Sequence, residues 1–169
     1  LVLWEEWVWH WSALRIGLSI APGPFMVPVT SLLVANRLIA RFGPTAVVAL
    51  GLTVFTAGVV LLAVCVGPVP NLVLAVAGAM TTGVGVGLTL PTLMGIGSGA
   101  LPASAFSTGS AVLNMIRQLG FAVGVAILVA LVGLPEATDE ARIAVFRLAW
   151  LVMAGITAVG LAPLLLLRR

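Results

Sequence analysis

Between Arg41 and Arg117 the chain runs for 75 residues, 42–116, without one charged side chain. As a single helix that stretch would be about 112 Å long, whereas a bilayer's hydrocarbon core is about 30 Å thick. It therefore has to fold back on itself. A soluble solution fails on composition. Apolar residues make up 62% of the 169 positions, and the 19 glycines bring the figure to about 73%, against about 45–50% in soluble domains. Charged residues are 8%, where about 25% is usual. A domain this small has too little interior to hide that much apolar surface from water. Soluble enzymes, nucleic-acid binders and disordered tails are excluded, and the solvent is lipid.

Three further charge-free runs complete the pattern: 16–36 with 21 residues, 118–135 with 18 and 148–167 with 20. A spanning helix needs about 20. Within the long run, Gly67-Pro68-Val69-Pro70-Asn71 and Ser98-Gly99-Ala100-Leu101-Pro102 supply the two breaks. The expected fold is an all-α membrane protein with five transmembrane helices over about 13–40, 45–66, 71–97, 105–132 and 142–167, preceded by an interfacial segment over 1–12. No alternating ten-residue segments of a barrel are present, and open sheet edges are not tolerated in lipid.

The net charge of +3 comes from eight arginines, no lysine and five acids. Such sparse charge is no nucleic-acid footprint, which needs a clustered basic face. Arg37, Arg41, Arg168 and Arg169 collect on one side of the five-span topology. Glu5, Glu6, Glu136, Asp139 and Glu140 collect on the other, with Arg15 and Arg142 near them. The positive-inside rule puts the four-arginine side in the cytoplasm of a cell membrane, with residue 1 outside and the C-terminus inside. Trp4, Trp7, Trp9 and Trp11, with His10, suit the outer interface, where amphipathic rings sit at headgroup level. A chain that opens outside, at Leu1 and without a signal peptide, reads as a piece of something longer.

The third span carries small residues at spacing four: Ala75, Ala79, Gly83, Gly87, then Pro91, Gly95 and Gly99. Such a ladder leaves a groove in which another helix approaches backbone to backbone. It reads either as plain helix packing or as a seam beside a substrate path, with Pro91 allowing a bend. The glycine run 83–87 is no phosphate cradle, since no strand precedes it and no lysine follows. In the first span Pro22, Pro24 and Pro28 remove backbone hydrogen bonds. Broken helices border transport cavities in many transporters, and a fixed structural kink is the plainer alternative.

The fourth span is the most informative. Ser107, Ser110, Asn114, Arg117, Gln118 and Phe121 recur at three- and four-residue steps and share an arc of roughly 100°. Arg117 lies about 16 Å in from the helix start. An arginine at that depth costs about 2.5–3.5 kcal/mol even on the mild insertion scale, so it needs protein or water beside it and a partner. It either serves function or braces helix-end carbonyls. Catalysis, cofactors and metals find no support. The single histidine sits among the tryptophans, the acids are confined to two outer segments, and Cys65 excludes both an intrachain disulfide and a cysteine-rich site.

Leu101-Pro102-Ala103-Ser104-Ala105-Phe106, Gly109-Ser110-Ala111 and Asn114-Met115-Ile116-Arg117-Gln118-Leu119-Gly120 resemble the penultimate-helix signature of major facilitator superfamily drug:proton antiporters. More narrowly they resemble the fourteen-span multidrug-efflux (EmrB/QacA-type) branch. Trp11-Ser12-Ala13-Leu14-Arg15 with Gly17, then Ala21-Pro22-Gly23-Pro24, is similar to that branch's outer loop and following helix. Arg37-Leu38-Ile39-Ala40-Arg41-Phe42-Gly43-Pro44 resembles the degenerate second-half copy of the superfamily's cytoplasmic loop motif, with Ala40 where an aspartate is common and Asn36 where a glycine is.

The resemblance implies the last five helices of a proton-coupled exporter of small hydrophobic or amphipathic molecules, lacking its N-terminal half. By the same resemblance Ser110, Asn114, Arg117 and Gln118 would line or brace the central cavity, and Arg37, Arg41 and Gly43 would belong to the cytoplasmic gating loop. The rival expectation is a non-transporting membrane interaction protein that packs through the seam of Ala75, Ala79, Gly83, Gly87 and Pro91.

Overall fold

The computed structural model describes residues 1–133, 138–162 and 164, and those residues are helices joined by short turns. A short α1 (Val2–Trp7) precedes α2 (Ala13–Ile20), α3 (Pro22–Thr30), a π-helical turn (Ser31–Ala35) and α4 (Asn36–Phe42). Then come α5 (Pro44–Cys65), α6 (Leu72–Gly99), a 3₁₀ turn (Ala103–Ala105), α7 (Phe106–Val132) and α8 (Asp139–Val159). Five of these units are long and apolar enough to cross a membrane: 13–42, 44–65, 72–99, 103–132 and 140–159. Glu136, Arg168, Arg169 and the expected last turns of the fifth span, 163 and 165–167, lie outside the described residues.

Local chemistry accounts for the boundaries. Asn71 caps α6, its Oδ1 accepting from the Leu74 N–H at 3.1 Å, and Thr138 caps α8 through the Ala141 N–H. Pro44 opens α5 at the first turn, where a missing N–H costs nothing. Gly43 joins α4 to α5 in one residue at φ +81° and ψ 159°, a region essentially reserved for glycine. The Gly67–Pro70 break ends α5, and Pro102, in extended conformation, separates α6 from α7.

The first span is interrupted without being disrupted. Pro22 sits at the N-terminus of α3, and after Pro28 the backbone widens into the π turn 31–35. A proline inside a helix removes one hydrogen bond and crowds the preceding turn, and a π turn absorbs the mismatch. Elsewhere hydroxyls bond their own helices: Thr53, Thr81 and Thr92 donate to carbonyls four residues back at 2.6–2.8 Å. Each such bond satisfies a hydroxyl within its own helix in an apolar setting, whereas the Thr89 hydroxyl is buried without a partner.

The largest packing interface joins α5 and α6, with α3 on the second face of α6 and α8 against α5. One core lies where α1, α2, α5 and α8 meet, around Trp4, Val59, Leu62, Phe146 and Trp150. A smaller one, Ala35, Val47 and Leu88, lies at the opposite end of α6. Three of the four N-terminal tryptophans turn inward, against the protein. Trp4, Trp9 and Trp11 are buried, and Trp7 is left partly exposed. Trp4 meets Phe146 edge-on at 5.5 Å and Trp150 at 5.1 Å, and the Trp9 indole donates to the Gly67 carbonyl at 2.9 Å. Aromatic edge-to-face packing plus one indole hydrogen bond explains why these rings prefer the protein.

Candidate functional site

On α7 the expected arc forms in part. Arg117 donates from Nη2 to Asn114 Oδ1 at 2.7 Å, one turn earlier on the same helix. The Arg117 Nε and the Ser110 hydroxyl are shielded from solvent and have no hydrogen-bond partner. Gln118 is exposed, with Ile116, Leu119 and Phe121 around it also exposed. α7 is the least buried of the five spans. It meets α6 at Gly97, where Leu113 packs, and it also packs against α8. Ser110, Asn114 and Arg117 are thus brought together on one helix. The opposing surface that a cavity would need is not supplied among the described residues.

The seam on α6 has an occupant within the chain. Ala75, Ala79, Gly83 and Gly87 are buried. A methyl group placed on Gly83 would overlap the Gly23 carbonyl of α3, and one on Gly87 would lie 2.7 Å from the Val27 carbonyl. Pro91, Gly95 and Gly99 are exposed beyond the end of this contact. A second glycine face, which the spacing of four does not reveal, points at α5. Gly78 and Gly85 there oppose Leu62 and Phe55, while Gly51 and Gly58 on α5 oppose Gly85 and Thr82. Both pairs are seven residues apart, and that spacing was the available signal.

Two open-sided hollows flank the α3–α6 contact. The first, about 390 Å³, is lined by Gly23, Pro24 and Val27 of α3, Phe55 and Val59 of α5, Gly83 and Val86 of α6, and Trp150 and Met153 of α8. Its walls are almost wholly apolar, and its size falls in the range of small-molecule pockets, roughly 300–1,000 Å³. The second, about 380 Å³, lies at the other end, between Ser31, Asn36 and Ile39 on one side and Pro91, Thr92 and Gly95 on the other. It adjoins the π turn and the loop motif. In that motif Gly43 carries the positive φ, while Arg37 and Arg41 are exposed, and Arg41 stacks over Phe42 at 5.3 Å.

Two polar features escaped the sequence reading. Thr56 and Thr157 pair across α5 and α8 at 2.9 Å. Glu5, which the sequence places in the segment before the first span, is fully buried and bonded to Ser19 of α2 at 2.5 Å. Burial pushes its carboxyl above the usual range, outweighing the Ser19 hydrogen bond, which acts the other way. The only hint was a carboxylate flanked by tryptophans, followed at a distance by a single serine on an apolar helix.

Among the described residues no cluster of histidine, cysteine and carboxylates could hold a metal ion. No model of a known family, no curated protein and no solved structure matches the chain.

Proposed function

We propose that this chain is the C-terminal part of a proton-coupled membrane exporter of small hydrophobic or amphipathic molecules, with its Gly43 loop in the cytoplasm of a cell membrane. The observation that carries the reading is the apolar hollow of about 390 Å³ between the proline-bearing first span, with its π turn, and the glycine face of α6. Binding near the midplane beside interrupted helices is how secondary transporters hold their cargo. Walls that are mostly apolar, with the Thr82 hydroxyl already bonded to its own helix, suit cargo recognised by size and hydrophobicity. The resemblance of the 101–120 and 37–44 segments to multidrug antiporters supports the same class.

On this reading the exposed face of α7, with the Asn114–Arg117 pair at its centre, is covered by the other half of the transporter. The rival reading of an interaction protein is weakened because α3 already occupies the seam from Ala79 to Gly87.

The test is efflux in cells from a chain carrying the upstream spans. Val86→Trp, which fills the hollow, should cut export of a small hydrophobic dye at least severalfold while abundance at the membrane is kept. Unchanged export would remove the hollow from the transport path.

A further inference from the structure

Glu5 is 0% exposed, and its carboxyl makes one hydrogen bond, to Ser19. Ser19 Oγ lies 2.5 Å from Glu5 Oε2 and 2.8 Å from the Ile16 carbonyl oxygen. A serine hydroxyl carries one hydrogen, and an ionised carboxylate and a carbonyl carry none to give. If Glu5 were ionised, one hydrogen would have to serve two acceptors, and one of these close oxygen pairs would stand without a hydrogen between them. If Glu5 is the neutral acid, the count closes. Its Oε2–H donates to Ser19 Oγ, and the Ser19 hydroxyl donates to the Ile16 carbonyl.

The second oxygen points the same way. Oε1 is buried and has no partner. An unpartnered carbonyl oxygen of a neutral acid costs far less than half of a buried, unpaired carboxylate.

We propose that Glu5 is a proton-binding site, held as the neutral carboxylic acid that donates its hydrogen to Ser19 at the junction of α1 and α2. The ligand is a proton, and the site is built of one acid, one serine and one main-chain carbonyl.

The charges around it do not replace that proton. On its own segment stand Glu6 and His10. On α2, Arg15 is directed over the Trp11 ring at 4.1 Å. On α8, Arg142 donates to the Trp7 carbonyl. The 66–71 loop, which Trp9 contacts, has no charged residue. Release of the proton leaves a bare carboxylate under α1, so the site couples protonation to the docking of that helix on the aromatic cluster. The inference stands independently of transport.

The experiment is infrared spectroscopy of the whole chain in lipid vesicles, following the C=O stretch of protonated carboxyl groups. At about pH 7 exposed carboxyls are ionised, and the proposal expects one protonated band. It should vanish in Glu5→Gln, whose amide keeps the shape and a donor for Ser19, and persist in Glu6→Gln. In the unmodified chain, raising the pH should remove the band in step with a change in tryptophan emission, which requires no variant to fold. Absence of the band at about pH 7, its survival in Glu5→Gln, or titration within the ordinary carboxylate range would each overturn the assignment.

Discussion

Gly23 and Gly83 touch main chain to main chain where α3 crosses α6, and a methyl group on Gly83 would run into the Gly23 carbonyl. The contact fixes how close the first span can lie to the third, and with it the width of the hollow beside them. Gly83→Ala should destabilise the bundle by about 1–3 kcal/mol, the usual cost of overpacking. Gly95→Ala, on the same helix with open space around it, should be neutral or stabilising by up to about 1 kcal/mol. Equilibrium unfolding in mixed detergent micelles separates the two. Equal effects would mean that the ladder packs nothing.

Gly43 offers a purely conformational test. Beyond its own chain neighbours no atom lies within 4 Å of where its Cβ would be, so a substitution there reports backbone strain alone. Gly43→Ala should cost about 1–3 kcal/mol. Micellar unfolding unchanged from the parent chain would show that the α4–α5 turn does not need its positive φ.

The α5–α8 contact rests partly on the Thr56–Thr157 hydroxyl pair at 2.9 Å. Hydrogen bonds between membrane helices average about 0.6 kcal/mol in double-mutant cycles. A cycle with Thr56→Val and Thr157→Val should give a coupling of that order. A coupling of zero would mean that each hydroxyl is satisfied by its own helix, at Leu52 and Met153.

The spans were legible because charge and proline are costly in a helix surrounded by lipid. Arg41, Gly43, Gly67–Pro70 and Pro102 mark the ends of helices that the structure places within a residue or two of where those residues predict. The α3–α6 seam was half legible. The spacing of four showed that Ala75 to Gly87 could admit a helix, but nothing in it named α3 as that helix. The seven-residue glycine pairs facing α5 went unread because a run so rich in glycine satisfies several periods at once. The burial of Glu5 was illegible for a different reason. Burial depends on the reversal at His10, which has a left-handed φ of 51°, folding α1 back over α2, and a histidine in sequence carries no signal of that turn. Arg117 was located by its cost in lipid, and its neighbour Asn114 by helical spacing. What covers their exposed face lies in no spacing of this chain.

Stability should depend on pH through Glu5. Its folded-state pKa is raised by burial, so the stabilisation it contributes is fully present below the ordinary glutamate value, about 4.3, and is lost as pH rises through the folded value. Hydrogen exchange at the α1 amides should quicken over that rise, and Glu5→Gln should flatten the dependence. Slower exchange at higher pH, after correction for the intrinsic rate, would reverse the sign.

Arg117 is the sharpest residue-level expectation of the transport reading. In a chain carrying the upstream spans, Arg117→Ala should reduce efflux at least tenfold with insertion and abundance retained. Full activity would mean that Arg117 neither lines nor braces the path, and collapse of abundance would assign it to structure alone.

The five-span arrangement is the premise beneath all of this, and cysteine accessibility tests it most directly. With Cys65 replaced by serine, Ala40→Cys places one thiol on the exposed last turn of α4, at the end of the first span, and Thr138→Cys places one at the exposed cap before the fifth, 98 residues on. A membrane-impermeant maleimide applied to sealed vesicles of known orientation should label one from the inside and the other from the outside. Labelling of both from the same side would contradict the account.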